Sequence, residues 1–409
     1  MNIELEPQRR MRSRVKLLNI LRNLYSSIYR AVSSSLACAC EHSIYMRLSN
    51  LTEGITPVDE EDDVIRSLDV YLAVSSNRSL SDGSDEAGGQ WQICEEIAVQ
   101  AVPPVHQRNK PGMLLPKITE PKQSKKAVKF SLSRFTSYSS TPTIDPMEMS
   151  AVTNITAKMS LQAPMTALPE VQSGFNLCVE LNKPLGKRRE CLGPIADPTC
   201  PEARSYTVSC LSTSSSEGIQ WRMISLQEIL GNRRAARNML TYKQRLQLAV
   251  FISTSVLQHY ETPWMPHILN NRNIFFLQAG GLPFYEKAFL AAERDMPSAG
   301  VPKPPPIIRN PTLLALGIIL IELIRGETID SLRTPEEVMG AEFRHISDYM
   351  TAQRLLGEIY QTSSNYGSAV RRCINGEFQR QTLNLDDEDF RHEVYCGVVA
   401  LLQEDLNNL

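Results

Sequence analysis

The sequence predicts an α+β fold. An N-terminal helix and a small strand-rich region are followed, across a long disordered linker, by a mostly helical C-terminal domain. Three patterns carry this reading. Apolar residues recur at three- and four-residue spacing over 9–34, alternate with period two over 36–48, and run almost unbroken over 313–324 among several helix starts.

The first unit, residues 1–34, is amphipathic. Met11, Val15, Leu18, Leu21, Leu24, Tyr25, Ile28 and Val32 lie on one stripe, and the polar face is rich in serine and in basic side chains. Such a stripe must be covered, by the chain's own body, a protein partner or a second copy in a homo-oligomer. An Arg- and Ser-rich start also fits a mitochondrial presequence or a helix lying on an anionic membrane, although Glu4 and Glu6 speak against import.

Residues 35–102 read as a small strand-rich region. Leu36, Cys38, Cys40, His42, Ile44, Met46 and Leu48 alternate, and Val70–Val74 and Trp91–Val102 supply two further strands. Residues 103–170 hold nine prolines and almost no periodicity, the signature of a disordered basic, Pro-rich linker. Within it, 125–132 (KKAVKFSL) has the alternation of an edge strand whose lysines discourage aggregation.

Residues 171–409 form the last unit, with a helix at 171–182 and a strand from Ser205 to Leu211. Ser225-Leu226-Gln227-Glu228 and Thr241-Tyr242-Lys243-Gln244 have the form of capping boxes, and Thr334-Pro335-Glu336-Glu337 adds a proline at the first helical position. The second of these opens a helix to Tyr260 on the stripe Leu246, Ala249, Ile252 and Val256. A closing helix spans 389–406.

At 409 residues and a formal net charge of −2, the chain has no overall bias toward nucleic acid. The charge is uneven. Residues 1–34 carry seven basic side chains against two acidic, and 377–409 carry eight acidic against two basic, a complementarity suited to docking. Nine cysteines without a secretory apolar segment indicate reduced thiols and a cytoplasmic setting, with a mitochondrial one as the alternative. The stretch 313–324 is too short to span a membrane and contains Glu322, so it reads as a buried core helix.

Residues 257–277 read LQHYETPWMPHILNNRNIFFL, and residues 313–324 read LLALGIILIELI. This layout resembles the C-terminal lobe of a protein kinase with its chemistry removed. In that family an Asp serves as base five positions before a metal-binding Asn. Asn273 and the strand after it match the second half of the pattern, but Ile268 stands where the base belongs. A branched alkyl group neither accepts a proton nor orients a hydroxyl. Thr312 occupies the place of the Asp that, in kinases, ties the catalytic loop to the central helix. Gly317, Glu322, Leu323 and Gly326 match that helix in register. The resemblance assigns Trp264, Leu316, Gly317, Ile319, Leu320 and Leu323 to the structural core, and makes 35–102 an N-lobe-like region. No G-x-G-x-x-G loop, strand lysine or Asp before the Gly280-Gly281 pair is present, so neither nucleotide nor cofactor is expected.

The segments SLACACEHSIYMRL at 35–48, KKAVKF at 125–130, CLGPIAD at 191–197, RLQLAVFISTSVLQHYETPW at 245–264, NPTLLALGIILIEL at 310–323 and YGSAVRRCINGEF at 366–378 are similar to an uncharacterised fungal domain family. That family has kinase-like C-terminal halves and often follows HeLo-type prion-inhibition and propagation domains. The resemblance implies a non-catalytic signalling or interaction module in self/non-self recognition or regulated cell death, with helix 9–34 as the junction to an upstream domain. A divergent phosphotransferase with relocated catalytic residues is the competing class.

Two smaller constellations complete the survey. Cys38, Cys40 and His42 offer three soft ligands along one strand face, yet their spacing is not that of a zinc finger or ribbon and no fourth ligand is evident nearby, so a core face is favoured. His267 sits in the altered loop without the elbow a nucleophile would need.

Overall fold

The computed structural model describes residues 5–36, 38, 40–49, 65, 68–77, 92–102, 175–183, 190–200, 204–211, 221–231, 240–279, 282–292, 305–340 and 343–409, with the side chains of 5–16, 76–77 and 92–93 outside that description. The expected linker at 103–170, its strand at 125–132, and the Met11 and Val15 side chains therefore lie outside the described residues.

Helix α1 (Leu5–Ser35) leads into strands β1 (His42–Arg47), β2 (Asp69–Asn77) and β3 (Gln92–Val102). A short helix α2 (Leu177–Leu181) precedes β4 (Cys191–Ala196), β5 (Ser205–Cys210), β6 (Arg222–Ser225) and α3 (Leu226–Gly231). The chain then forms α4 (Tyr242–His259), the hairpin β7 (Ile274–Ala279) and β8 (Leu282–Ala291), and α5 (Pro311–Arg325). It closes with α6 (Ile329–Leu332), α7 (Arg344–Thr362), α8 (Ser364–Asn375), α9 (Glu388–Val394) and α10 (Ala400–Asn407). The described residues all belong to one unit, Met1–Val105 with Gly174–Leu409.

The eight strands make one antiparallel sheet in the order β4-β5-β3-β2-β1-β8-β7-β6. Five of them come from residues beyond 190, so the N-terminal strands and the later hairpin share one ladder. The junction is β1 against β8, with Tyr45 opposite Ala291, Met46 opposite Leu290 and Arg47 opposite Phe289. Pro194 sits in β4, an edge strand, where its missing N–H breaks no central ladder.

Helix starts follow the sequence signals closely. Thr241 and Gln244 close a capping box on α4, and Ser225 and Glu228 exchange the same bonds before α3. Thr334 and Glu337 also form the box, but the helix start expected there is a single 3₁₀ turn, Pro335–Glu337. The Glu337 carboxylate is shared with Arg354 (2.7 Å) and Thr351 (2.9 Å) of α7, which holds the turn in place while the helix itself begins only at Arg344. The closing helix departs from regularity at Tyr395–Val399, a π-turn where the Gly397 carbonyl accepts from Arg372 (2.9 Å).

Helix α5 is the centre of the larger core. Leu313, Leu316, Ile319, Leu320, Ile321 and Leu323 are all fully buried. Gly317 lets α8 approach: a Cβ there would lie 2.6 Å from Ile374 Cδ1 and 3.0 Å from Cys373 Cβ. Gly326, at φ 69°, ends the helix in the left-handed region that favours glycine.

Candidate functional site

The loop from Tyr260 to Asn273 is positioned by α4 on one side and β7 on the other. Asn273 Oδ1 accepts the backbone N–H of Asn270 (3.0 Å), and its own N–H donates to the Asn270 carbonyl (3.1 Å). The side chain thus closes its own loop. Ile268 is 47% exposed, and His267 beside it is exposed too.

Below this loop lies a cavity of about 440 Å³ between the loop, α5 and α7. Ile268, Leu269, Ile308, Leu314 and Ile318 make much of its wall apolar. Its deepest polar group is Glu322, which is 2% exposed. The carboxylate oxygen Oε1 accepts from Asn271 Nδ2 and from the Ile329 backbone N–H, each at 2.8 Å. Burial pushes the Glu322 carboxyl up to about 8, against the lowering effect of those two bonds. Glu322 therefore ties the loop to helix α5 through Asn271. The signal for it was one acid inside an otherwise apolar helical run.

The other acids at the cavity are engaged by cations. Asp330 pairs with Arg333 (3.0 Å) and Arg344 (2.6 Å), and Asp348 pairs with Arg333. Along β7, Gln278 accepts from Arg222.

From Leu17 onward, the apolar stripe of α1 is covered by the chain's own body. Leu18, Leu21, Leu24, Tyr25 and Ile28 are at most 2% exposed. Trp264, fully buried, donates its indole N–H to the Tyr25 carbonyl (2.8 Å) and meets Tyr29 edge-on. The charge complementarity read in the sequence is realised within the molecule. Arg22 donates to the Leu257 carbonyl (3.3 Å), stacks over Tyr260 and lies 3.7 Å from Asp386, while Arg391 donates to Asn19 (2.7 Å). The described interaction residues are packed inside the chain, the first of the three covers the sequence allows. The reason is the length of α1, whose 31 residues reach both the sheet and the helical core.

The three soft ligands also sit differently from the expectation. Helix α1 runs on to Ser35 and strand β1 begins only at His42, so Cys38 and Cys40 lie in the bend between them and not on a strand face. That bend turns both thiols toward His42, and α2 brings in Cys178, 138 residues beyond Cys40. The missing fourth group came from a distant segment, beyond the reach of a search by local spacing.

Comparison with known proteins gives one match. The family model described as "Domain of unknown function (DUF7580)" covers residues 16–409. No curated protein and no solved structure matches the chain.

Proposed function

The chain belongs to that family, and we propose that it is a non-enzymatic, pseudokinase-like interaction module. The observation that carries the proposal is the loop itself: Ile268 stands in the place of the base, and the Asn273 side chain is spent on Asn270. A general base must reach the proton it takes, and the sec-butyl side chain of Ile268 offers no acceptor. The order of helix α4, loop, hairpin β7–β8 and central helix α5 supports the kinase-like reading. The pairing of β1 with β8 supports loss of chemistry, because direct ladder bonds leave no gap between those strands for a nucleotide.

In this reading the apolar cavity beneath Ile268 is where the module meets its partner, and the setting is the one the HeLo-associated resemblance implies, fungal self/non-self recognition or regulated cell death. Magnesium-ATP tests it. Full-length protein is expected to show no thermal shift at millimolar nucleotide and no phosphate transfer to itself or to a generic substrate. A saturating ligand would raise stability by a few kcal/mol through linkage. Transfer that disappears in Asn273→Ala would establish the competing phosphotransferase.

A further inference from the structure

Cys38, Cys40, His42 and Cys178 bring one ligand atom each into a group whose members all lie within 4.8 Å of one another. Cys38 Sγ is 3.0 Å from His42 Nε2, and Cys178 Sγ is 3.9 Å from Cys40 Sγ. A tetrahedral zinc with bonds of about 2.3 Å to sulfur and 2.0–2.1 Å to nitrogen has edges of roughly 3.5–3.8 Å. The distances of 3.0 and 3.9 Å bracket those edges, so small side-chain shifts bring the four donors to coordination spacing, and they are of the Cys₃His type that structural zinc sites use.

The surroundings point the same way. His42 Nδ1 lies 3.2 Å from the Ser75 carbonyl, and a carbonyl only accepts, so Nδ1 carries the proton. Nε2 is therefore the acceptor toward Cys38 Sγ at 3.0 Å, on the side of the ring that faces the sulfurs. This is the outer hydrogen bond that fixes the tautomer and orientation of a metal-binding histidine. Asn182 Nδ2 donates to Cys178 Sγ (3.2 Å), a contact that stabilises negative charge on sulfur. His42 and Cys178 are buried, so the cluster is backed by protein, while Cys40 at its rim is exposed and leaves a way in.

We infer that Cys38, Cys40, His42 and Cys178 form a structural zinc site that fastens α2 to the bend between α1 and β1. Binding of Zn²⁺ displaces the three thiol protons to solvent and forms three Zn–S bonds and one Zn–N bond, leaving the site with one net negative charge. No oxidant is involved. All four positions are filled by protein, so the site is closed and does no chemistry. Its effect is to close a loop of well over a hundred residues, and to hold a five-residue helix that could not persist alone.

The test uses full-length protein purified under reducing conditions without chelator. Elemental analysis is expected to find about one zinc per chain. Cys178→Ala should lose at least nine-tenths of it, whereas Cys200→Ser, at an exposed cysteine outside the cluster, should keep it. Because Cys178→Ala removes a buried side chain and tests folding together with binding, wild type is also stripped and reloaded with Co²⁺. The expected result is the intense visible absorption of tetrahedral cobalt with thiolate-to-metal charge transfer, bleached on adding zinc. Three results would each overturn the site: wild type without zinc that also fails to give the cobalt spectrum, a Cys178→Ala protein that is folded and retains zinc, or a non-reducing peptide map in which Cys40 and Cys178 are linked as a disulfide.

Discussion

The indole N–H of Trp264 donates to the carbonyl of Tyr25 across 239 residues of sequence, at 2.8 Å, and so fastens the loop after α4 to the N-terminal helix. Both residues are at most 2% exposed, and His259 packs its ring edge-on against Tyr25 at 4.4 Å. The helix and the loop are therefore one packing unit. Trp264→Phe keeps most of the apolar contact and removes the donor, so it should cost about 1 kcal/mol. Trp264→Ala should cost about 3–5 kcal/mol, since a fully buried indole leaves a large void. Denaturant midpoints at unchanged slope measure both, and equal costs for the two would mean that the hydrogen bond contributes nothing apart from the packing.

Leu18→Glu combined with Leu24→Glu places two carboxylates in the two main cores, since Leu18 belongs to the larger core around α4 and α5 while Leu24 belongs to the core beneath the N-terminal strands. An unpaired buried carboxylate costs several kcal/mol, comparable with the stability of an ordinary domain. The double variant is expected to unfold, or to melt far below wild type, in thermal scans. A variant with an unchanged melting temperature and an altered elution volume would return α1 to the role of a docking helix for another chain.

The sequence made some of this legible, and the reasons differ from residue to residue. Helix α1, helix α4 and helix α5 were visible because their apolar residues repeat at helical spacing and their caps are local. Gly317 and Gly326 were legible through their place in the pattern of the central helix. What could not be read was anything set by distant pairing. Nothing local announces that β1 joins β8, that Glu322 holds Asn271, or that Cys178 meets Cys38, Cys40 and His42. The alternation over 36–48 was a false continuity, because α1 persists to Ser35 and the cysteines occupy a bend. The Thr334 box was a true local signal, but tertiary bonds from Arg354 and Thr351 confined it to one turn.

Leu316→Asp should unfold the protein, because Leu316 is fully buried at the centre of α5. Gly317→Ala probes the same helix more gently. The added methyl would need Ile374 or Cys373 to shift, and overpacking of this kind costs about 1–3 kcal/mol. Chemical denaturation measures it. Relief of the cost by Ile374→Val, which shortens the side chain the methyl meets, would locate the strain at the α5–α8 contact. No relief would place it elsewhere.

Two buried titrating groups pull the pH dependence of stability in opposite directions. Burial holds His259 neutral, with its pKa lowered from 6.5 to about 3, and Arg22 nearby adds to the lowering. Between those values the unfolded chain binds the proton and the folded chain does not, so the His259 contribution is present above pH 6.5 and is lost as pH falls toward 3. Glu322 is the reverse case, raised from 4.5 to about 8 by desolvation. Here the folded chain keeps the proton, so its contribution is complete below pH 4.5 and is lost as pH rises through 8. His259→Phe keeps the ring against Tyr25 and removes the proton site. Glu322→Gln keeps an oxygen acceptor for Asn271 and for the Ile329 N–H and removes the acid. The stability difference between wild type and His259→Phe should therefore climb between pH 4 and 6.5 and then level off. The difference between wild type and Glu322→Gln should decline between pH 5 and 8 and then level off. Within each window the slope should approach about 1.4 kcal/mol per pH unit, the limit for one proton. Difference curves that stay flat across both windows would mean that water reaches these groups in the folded protein, and the closed packing around Tyr25 and beneath Ile268 would have to be abandoned.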